Sequence, residues 1–217
     1  MCLCLTIVQT FRDFEPHAKR YLDRYTDPAL PYAYSTYDQQ PTQNGPVSAA
    51  DVLMVNLLSL SFTWHEVLPL FTTRDDQYTR LRRMLDTALE QARTLPELSE
   101  CTEDQAKMPA LRAVNEFALK IRPPDGRRNL WGLVAVSKVL HRLSPNIPLV
   151  DSRVLAYYAT RNAGDVREQM RSDLVANQDW MARLAPNYPV RGGPMPLTRM
   201  ADILIWMSVG DTGPDQQ

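Results

Sequence analysis

The chain has 217 residues, of which 44% are hydrophobic and 23% are charged, and its formal net charge is −1 at pH 7. This composition is ordinary for a globular protein with one sizeable core, and the near-zero charge argues against binding nucleic acid through bulk electrostatics alone. The longest apolar run, Val52 to Leu60, is too short to span a membrane, and the first residues show no secretory signal pattern. We therefore expect a cytoplasmic protein without a membrane partner.

Cysteine and histidine are too few and too scattered to predict a disulfide framework or a metal site. The chain contains only Cys2, Cys4, Cys101, His17, His65 and His141. We therefore expect neither a metal nor another cofactor.

Charge is distributed unevenly along the chain. Residues 1–100 carry a net charge of −4 and residues 101–217 one of +3. The excess is concentrated between Lys107 and Arg161, where ten basic residues stand against three acidic ones. A basic surface suits a phosphate-bearing ligand, although a solvated basic face without a ligand explains the pattern equally well.

Apolar residues recur at helical spacing through most of the chain, and capping residues mark where helices begin. Ser48 and Asp51 form a capping-box pattern ahead of a nearly all-apolar run, which predicts a fully buried core helix. Thr63 is the candidate cap of the next helix, and residues 94–107 are predicted to be a polar connection. The predicted helices span residues 11–25, 52–60, 64–71, 75–93, 109–121, 130–143, 152–160, 166–184 and 197–207.

No stretch alternates with period two, and no internal repeat is present, so the sequence predicts an all-α fold. We divide the chain into an N-terminal helix and long loop packed on the body (1–47), a compact helical domain with room for two lobes (48–209), and a disordered tail (210–217). Tyr32, Tyr34 and Tyr37, in the long loop, could stack on a base, although packing onto the body explains them more simply.

Residues 131–158 contain two predicted helices joined by a loop that includes Pro145 and Pro148. Asp151 stands at the start of the second helix. Aspartate is a favoured N-cap, so capping alone would explain Asp151. In the first helix, Lys138 and Arg142 are four residues apart and hence on one face, where together with His141 they could hold phosphate or form a solvated stripe.

This stretch resembles the second half of the helix-hairpin-helix DNA glycosylase fold, in which a helix and a Gly/Pro-rich loop lead to a catalytic aspartate in a Pro-Val-Asp-like context. The matching residues are Pro148-Leu149-Val150-Asp151. Residues 137–145 and 199–206 also look like an uncharacterised actinobacterial family related to that fold. The resemblance implies the same fold over roughly residues 48–207.

Two departures from that superfamily affect the expected chemistry. Its hairpin carries a Leu-Pro-Gly-Val-Gly-like element that grips a DNA phosphate, whereas residues 129–133 here retain only Gly132. Bifunctional members place a lysine nucleophile about 18 residues before the aspartate, where this chain has Leu133, and Lys138 is only 13 residues upstream. The resemblance therefore implies a monofunctional enzyme with a weakened grip on duplex DNA.

For the site, the resemblance implies that Asp151 stabilises positive charge on a sugar ring and activates water during cleavage of an N-glycosidic bond. Trp131 and Trp206 are further candidates for base stacking, although tryptophans in apolar helices more often belong to the core. Arg199 and Asp202, three residues apart, are expected to form an ion pair that is structural or, if buried, orients the site. The candidate phosphate or nucleic-acid ligands are Arg127, Arg128, Lys138, His141, Arg142 and Arg153.

Three functions follow from these observations. The leading hypothesis is a DNA-glycosylase-like hydrolase that uses Asp151. The second is a non-enzymatic protein on the same fold that binds DNA or a nucleotide through residues such as Arg127 and Arg128. The third is an enzyme acting on a nucleoside-like small molecule, which would explain the missing hairpin glycines and the low net charge. The sequence does not determine the oligomeric state.

Overall fold

The computed structural model describes residues 10–72 and 76–210, and over these ranges the chain is all-helical, as predicted. Its only β-type pairing there is an isolated bridge between Val190 and Gly193. The predicted disordered tail lies outside the described residues from position 211 onward, as do Cys2 and Cys4. The α-helices are α1 (Glu15–Thr26), α2 (Ala49–Met54), α3 (Trp64–Val67), α4 (Gln77–Arg93), α5 (Glu103–Lys107), α6 (Pro109–Ala118), α7 (Leu133–Leu143), α8 (Ser152–Tyr157), α9 (Ala163–Leu184) and α10 (Leu197–Gly210).

Local capping signals set most helix starts. The Ser48–Asp51 capping box forms at α2, and Thr63 caps α3 together with Glu66. Asp76 accepts hydrogen bonds from two backbone amides at the start of α4, and Asn162 caps α9. Each cap satisfies backbone N–H groups that have no partner inside the helix, which is why Ser48 and Thr63 could be identified as caps from the sequence.

Three predictions about regular structure were wrong. Residues 94–107 are not merely a polar connection, because they contain a 3₁₀ turn (Leu98–Glu100) and α5. The long loop contains a single π-helical turn, Tyr34–Asp38. The helix predicted at 52–60 is short and continues as a 3₁₀ turn, Val55–Leu58. It is not fully buried, because Leu53 and Leu57, four residues apart on its outer face, are 45% and 43% exposed.

The buried apolar side chains form two clusters. One combines α1 with α8, α9 and α10, so the N-terminal helix is part of a core rather than an appendage on its surface. The other combines residues of α2, α4, α6 and α7. The loop between α7 and α8 crosses from the second cluster, at Ile147, to the first, at Val150. Asp151 therefore lies where the two cores meet.

Candidate active site

The loop before Asp151 is held against α7 by two side chains of that helix. The Ser137 hydroxyl lies 3.1 Å from both the backbone nitrogen and the backbone oxygen of Val150. The His141 Nδ1 atom lies 2.7 Å from the carbonyl oxygen of Ile147, to which it donates if its proton is on that nitrogen. Burial lowers the pKa of His141 to about 4, so the ring is neutral at pH 7. His141 thus positions the loop and has no surface on which to meet a phosphate.

Asp151 begins α8 and uses only one of its carboxylate oxygens to do so. Its Oδ1 accepts hydrogen bonds from the backbone N–H groups of Arg153 and Val154, at 2.9 and 3.0 Å. Its Oδ2 accepts no hydrogen bond from any residue that the structure describes. The half-buried side chain lines a cavity. Capping therefore explains the position of Asp151 and leaves one oxygen available for another role.

The cavity lies between α7, α8, α10 and the turn that follows α2, and has a volume of about 120 Å³. That volume holds only part of a drug-sized ligand, so a larger molecule would extend through its mouth. Its walls combine aromatic rings, aliphatic side chains and a few polar groups. They are formed by Tyr25, Pro31, Tyr32, Ala33, Leu57, Leu58, Ser59, Lys138, Leu149, Asp151, Arg199, Asp202, Ile203 and Trp206.

Lys138 brings an ammonium group to this cavity. The side chain is buried, and its Nζ donates a hydrogen bond of 2.5 Å to the carbonyl oxygen of Leu58. Ser59, which follows in the left-handed conformation at φ 63°, ends the 3₁₀ turn that presents this carbonyl. Burial lowers the pKa of Lys138, and the negative charge of Asp151 acts in the opposite direction. Lys138 is therefore not part of a solvated stripe.

A buried polar network closes the inner end of the cavity. Arg199 donates from Nε and Nη2 to the two carboxylate oxygens of Asp38, at 2.8 and 3.0 Å. The Tyr25 hydroxyl also donates to Asp38, at 2.7 Å, and Arg199 Nη1 contacts Asp202 Oδ2. All four side chains are at most 5% exposed. The predicted ion pair between Arg199 and Asp202 thus exists and is buried.

Asp202 differs from the rest of this network because it is incompletely paired. Its Oδ1 is buried and has no hydrogen-bond partner among the described residues. Burial raises the pKa of Asp202 to about 7 despite the opposing charge of Arg199, and the nearby carboxylates of Asp151 and Asp38 raise it further. At neutral pH Asp202 therefore carries a proton in a substantial fraction of the molecules.

Aromatic rings form the outer wall. The rings of Tyr32 and Trp206 meet edge to face at 5.7 Å, and Tyr25 stacks on Tyr32 at the same centroid distance. The guanidinium of Arg153 lies 4.2 Å from the centre of the Trp206 ring, and its Nη1 donates to the Trp206 carbonyl oxygen at 2.7 Å. Arg153 thus supports the aromatic wall instead of facing the cavity itself.

The remaining predicted ligands do not line the cavity. Arg142 is buried, 3.3 Å from an Asp51 carboxylate oxygen, and donates to the carbonyl oxygen of Pro41 at 2.9 Å. Arg127 pairs with Asp125 and, together with the exposed Arg128, lines a different pocket. The basic segment therefore does not form one surface around the cavity.

Trp131 and Tyr34, both candidates for base stacking, do not line the cavity. Trp131 is 2% exposed, packs on Phe62 at 4.7 Å and donates to the Glu66 carbonyl oxygen. The Tyr34 hydroxyl donates to the carbonyl oxygen of Pro189 at 2.7 Å, which anchors the long loop to the body. Trp206 is the tryptophan that the structure places beside Asp151.

Sequence reasoning named Tyr32, which lines the cavity, as able to stack on a base, but it did not single out Asp38 or Tyr25 as site residues. The sequence contains one pattern that links Asp202 to Trp206. They are four residues apart and hence on one face of a helix that is otherwise apolar, where a charged side chain is costly unless it is paired. Asp38 carried no comparable signal, because its partner Arg199 is 161 residues away.

Comparison with known proteins places the chain in a family without assigning it an activity. None of the described helices is long and apolar enough to cross a membrane. No curated protein and no solved structure matches the chain. A family model described as a family of unknown function, DUF6308, matches residues 17–209, which include every residue of the cavity. The chain therefore belongs to the DUF6308 family.

Proposed function

We propose that the protein hydrolyses the N-glycosidic bond of a nucleoside-like substrate in this cavity, as the resemblance to the helix-hairpin-helix glycosylases suggests. The observation that carries the proposal is the carboxylate of Asp151, which a helix cap holds in the wall of an aromatic-lined cavity and whose Oδ2 has no hydrogen-bond partner among the described residues. A carboxylate in this position can stabilise positive charge on a sugar ring and accept a proton from water. The aromatic rings supply a surface on which a base can stack.

The reaction requires one water molecule and no further reactant. The bond between the anomeric carbon and the base nitrogen breaks, and the electron pair leaves with the base. The water oxygen bonds to the anomeric carbon and loses a proton to Asp151, so that the sugar leaves with a hydroxyl group. The base nitrogen gains one proton, which balances the reaction.

The arrangement of basic residues favours a small substrate over duplex DNA. His141 is neutral and buried, Arg142 is buried beside Asp51, and Arg153 is bonded to the Trp206 backbone. Duplex binding normally depends on several cations that reach successive phosphates. Of the six predicted phosphate ligands, only Arg128 is exposed. We therefore expect a nucleoside, or a nucleotide whose phosphate extends out of the cavity, to be the preferred substrate.

The first test is base release from a panel of ribonucleosides, deoxynucleosides and their 5′-monophosphates, followed by chromatography. The same assay is then run on duplex and single-stranded oligonucleotides that contain uracil or alkylated bases. Release from the small molecules supports the proposal. Release from oligonucleotides alone would support the DNA glycosylase hypothesis instead. Salt-dependent DNA binding without any release would support a non-enzymatic DNA-binding protein and overturn the proposal.

The second test replaces Asp151 by Asn, which is an equally good N-cap and so separates capping from chemistry. We expect base release to fall at least about 100-fold while substrate binding and stability are retained. Asp76 offers a matched control, because it caps α4 with hydrogen bonds of 2.9 and 3.0 Å to two backbone amides and lies outside the cavity. Asp76→Asn should leave the rate unchanged. Equal rates in the two variants would remove Asp151 from the mechanism.

A further inference from the structure

We propose that Asp202 is the general acid of this reaction and delivers a proton to the base as it departs. The inference rests on the proposed function and extends it, because it assigns the second of two carboxyl groups in one cavity. Asp151 comes from the start of α8 and Asp202 from the middle of α10, and both line the cavity. One group would accept the proton of the attacking water, and the other would supply the proton of the leaving group.

The first argument is the unpaired oxygen of Asp202. A buried polar atom without a partner is rare, because it loses its hydrogen bond to water and receives none from the protein. Asp202 Oδ1 is in this condition although the rest of its network is paired. A proton on Oδ1 could form a hydrogen bond to an acceptor atom of a ligand in the cavity. Because Asp202 lines the cavity, we assign its unpaired oxygen to a ligand contact.

The second argument is the direction in which Arg199 approaches. Its Nη1 contacts Oδ2 of Asp202, so Oδ2 accepts a hydrogen bond from a permanently charged guanidinium. A proton on the carboxyl group is therefore favoured on Oδ1, the oxygen that is free. Of the five N–H groups of Arg199, two donate to Asp38 and a third contacts the Tyr25 hydroxyl, whereas Asp202 receives only one contact. The network thus fixes the carboxyl group while leaving its other oxygen free.

The titratable Tyr25 of α1 lies close to Asp202, and four charged groups also act on this carboxyl group. They are Arg199 on the same helix, Asp38 on the π-helical turn, Lys138 on α7 and Asp151 at the start of α8. Burial and the two carboxylates oppose ionisation of Asp202, whereas Arg199 and Lys138 favour it. The balance leaves the pKa of Asp202 near 7, where a group can both hold a proton and release it at physiological pH. Two carboxyl groups in different environments are a common basis for an acid and base pair.

Proton transfer completes the reaction without another reactant. As the bond to the anomeric carbon breaks, the electron pair on the base takes the proton from Asp202, which becomes a carboxylate beside Arg199. Asp151 holds the proton taken from water. After the products leave, Asp151 loses its proton to solvent and Asp202 regains one. The enzyme then returns to its starting state.

Asp202→Asn tests the assignment, because an amide can donate a hydrogen bond but cannot give up a proton at neutral pH. The variant is compared on a nucleoside and on 4-nitrophenyl β-ribofuranoside, whose nitrophenolate leaves without being protonated. We expect kcat/KM for the nucleoside to fall at least about 100-fold and that for the nitrophenyl riboside to change by less than about threefold. Asp38→Asn is the matched control, since Asp38 is in the same network but does not line the cavity. It should affect both substrates equally.

The wild-type protein provides a measurement that does not depend on the folding of a variant. For the nucleoside, kcat/KM should fall about tenfold per pH unit above the pKa of Asp202, near pH 7, because the acid is then ionised. For the nitrophenyl riboside this fall should be absent. Identical profiles for the two substrates, or equal losses in Asp202→Asn, would overturn the assignment of Asp202 and leave the hydrolase intact. Failure of the wild-type protein to cleave either substrate would instead overturn the proposed function and the inference with it.

Discussion

Two buried polar clusters in this protein differ in how completely they are paired. Arg167, on α9, is fully buried, and its guanidinium donates to the carbonyl oxygens of Asn146, Gln105 and Ala106 and contacts the Cys101 sulfur. No guanidinium nitrogen of Arg167 is without a partner. In the cavity, by contrast, one oxygen of Asp202 has no partner in the part of the chain that the structure describes.

This difference separates a structural role from a functional one. The carbonyl oxygens around Arg167 belong to α5 and to the loop between α7 and α8, so one side chain joins these two segments to α9 and has no guanidinium nitrogen left to offer a ligand. In the cavity, Arg199 holds Asp202 through one carboxylate oxygen only. Asp151 is held by the hydrogen bonds with which it caps α8. A buried polar group that is held but not saturated is the kind of group that can act on a substrate.

The largest effect on stability is expected at Arg167. Replacement by Met removes the donors to three carbonyl oxygens in one buried and two part-buried hydrogen bonds. A buried group left unpaired costs about 1–3 kcal/mol, so the free energy of unfolding should fall by several kcal/mol, at most about 9 kcal/mol. Urea denaturation measures this change. Arg183→Met, at an exposed position of the same helix, is the control and should change stability by less than about 0.5 kcal/mol. Similar stabilities for the two variants would show that the Arg167 cluster is not structural.

A second effect concerns the pH dependence of stability. The pKa of Asp202 is raised in the folded protein to about 7, whereas an aspartate in the unfolded chain titrates near 4. Between these values the folded state keeps a proton that the unfolded state releases, so stability falls as pH rises, by at most about 1.4 kcal/mol per unit. Asp202→Asn lacks this dependence, and wild type should therefore lose stability relative to the variant between about pH 4 and pH 7. A constant difference in urea denaturation over that range would show that Asp202 is ionised throughout.

A third effect distinguishes the two tryptophans. Trp206→Leu removes a stacking surface from the cavity and should raise KM for a nucleoside about tenfold, since stacking of a base on an aromatic ring contributes about 1–3 kcal/mol. Trp131→Leu should leave KM unchanged and lower the melting temperature, because Trp131 is a core residue. Steady-state kinetics and thermal melting measure the two quantities. The opposite pattern would place the ligand near Trp131.

The smallest effect is expected at Arg128. This exposed residue lies outside the cavity, and Arg128→Ser should change kcat/KM for a nucleoside by less than about twofold. A loss of tenfold or more that disappears at high salt would show that a phosphate of the substrate reaches Arg128.

Helix starts could be predicted from the sequence because their causes are local. Ser48, Thr63 and Asp76 each bond to backbone amides two or three residues away, and such short-range pairs are visible in the residue order. The same holds for Asp151, whose position at a helix start needed no knowledge of the fold. The capping pattern could not indicate that Asp151 also lines a cavity.

The composition of the site could not be predicted because its contacts are long-range. Lys138 meets a carbonyl 80 residues away, and Arg199 binds Asp38 across 161 residues. The helical positions of Lys138, His141 and Arg142 fitted a solvated stripe equally well. Their burial depends on the π-helical turn and on α2, neither of which can be placed against α7 from local patterns.

The most direct test of the central claim is a single-turnover measurement of base release with enzyme in excess over a nucleoside that the wild-type protein cleaves. Under these conditions product release does not limit the rate, so the rate constant reports the chemical step. We expect Asp151→Asn, with the fold and the helix cap intact, to lower that constant at least about 100-fold relative to wild type and to Asp76→Asn. A rate constant for Asp151→Asn equal to that of wild type would contradict the assignment of Asp151 as the group that activates water.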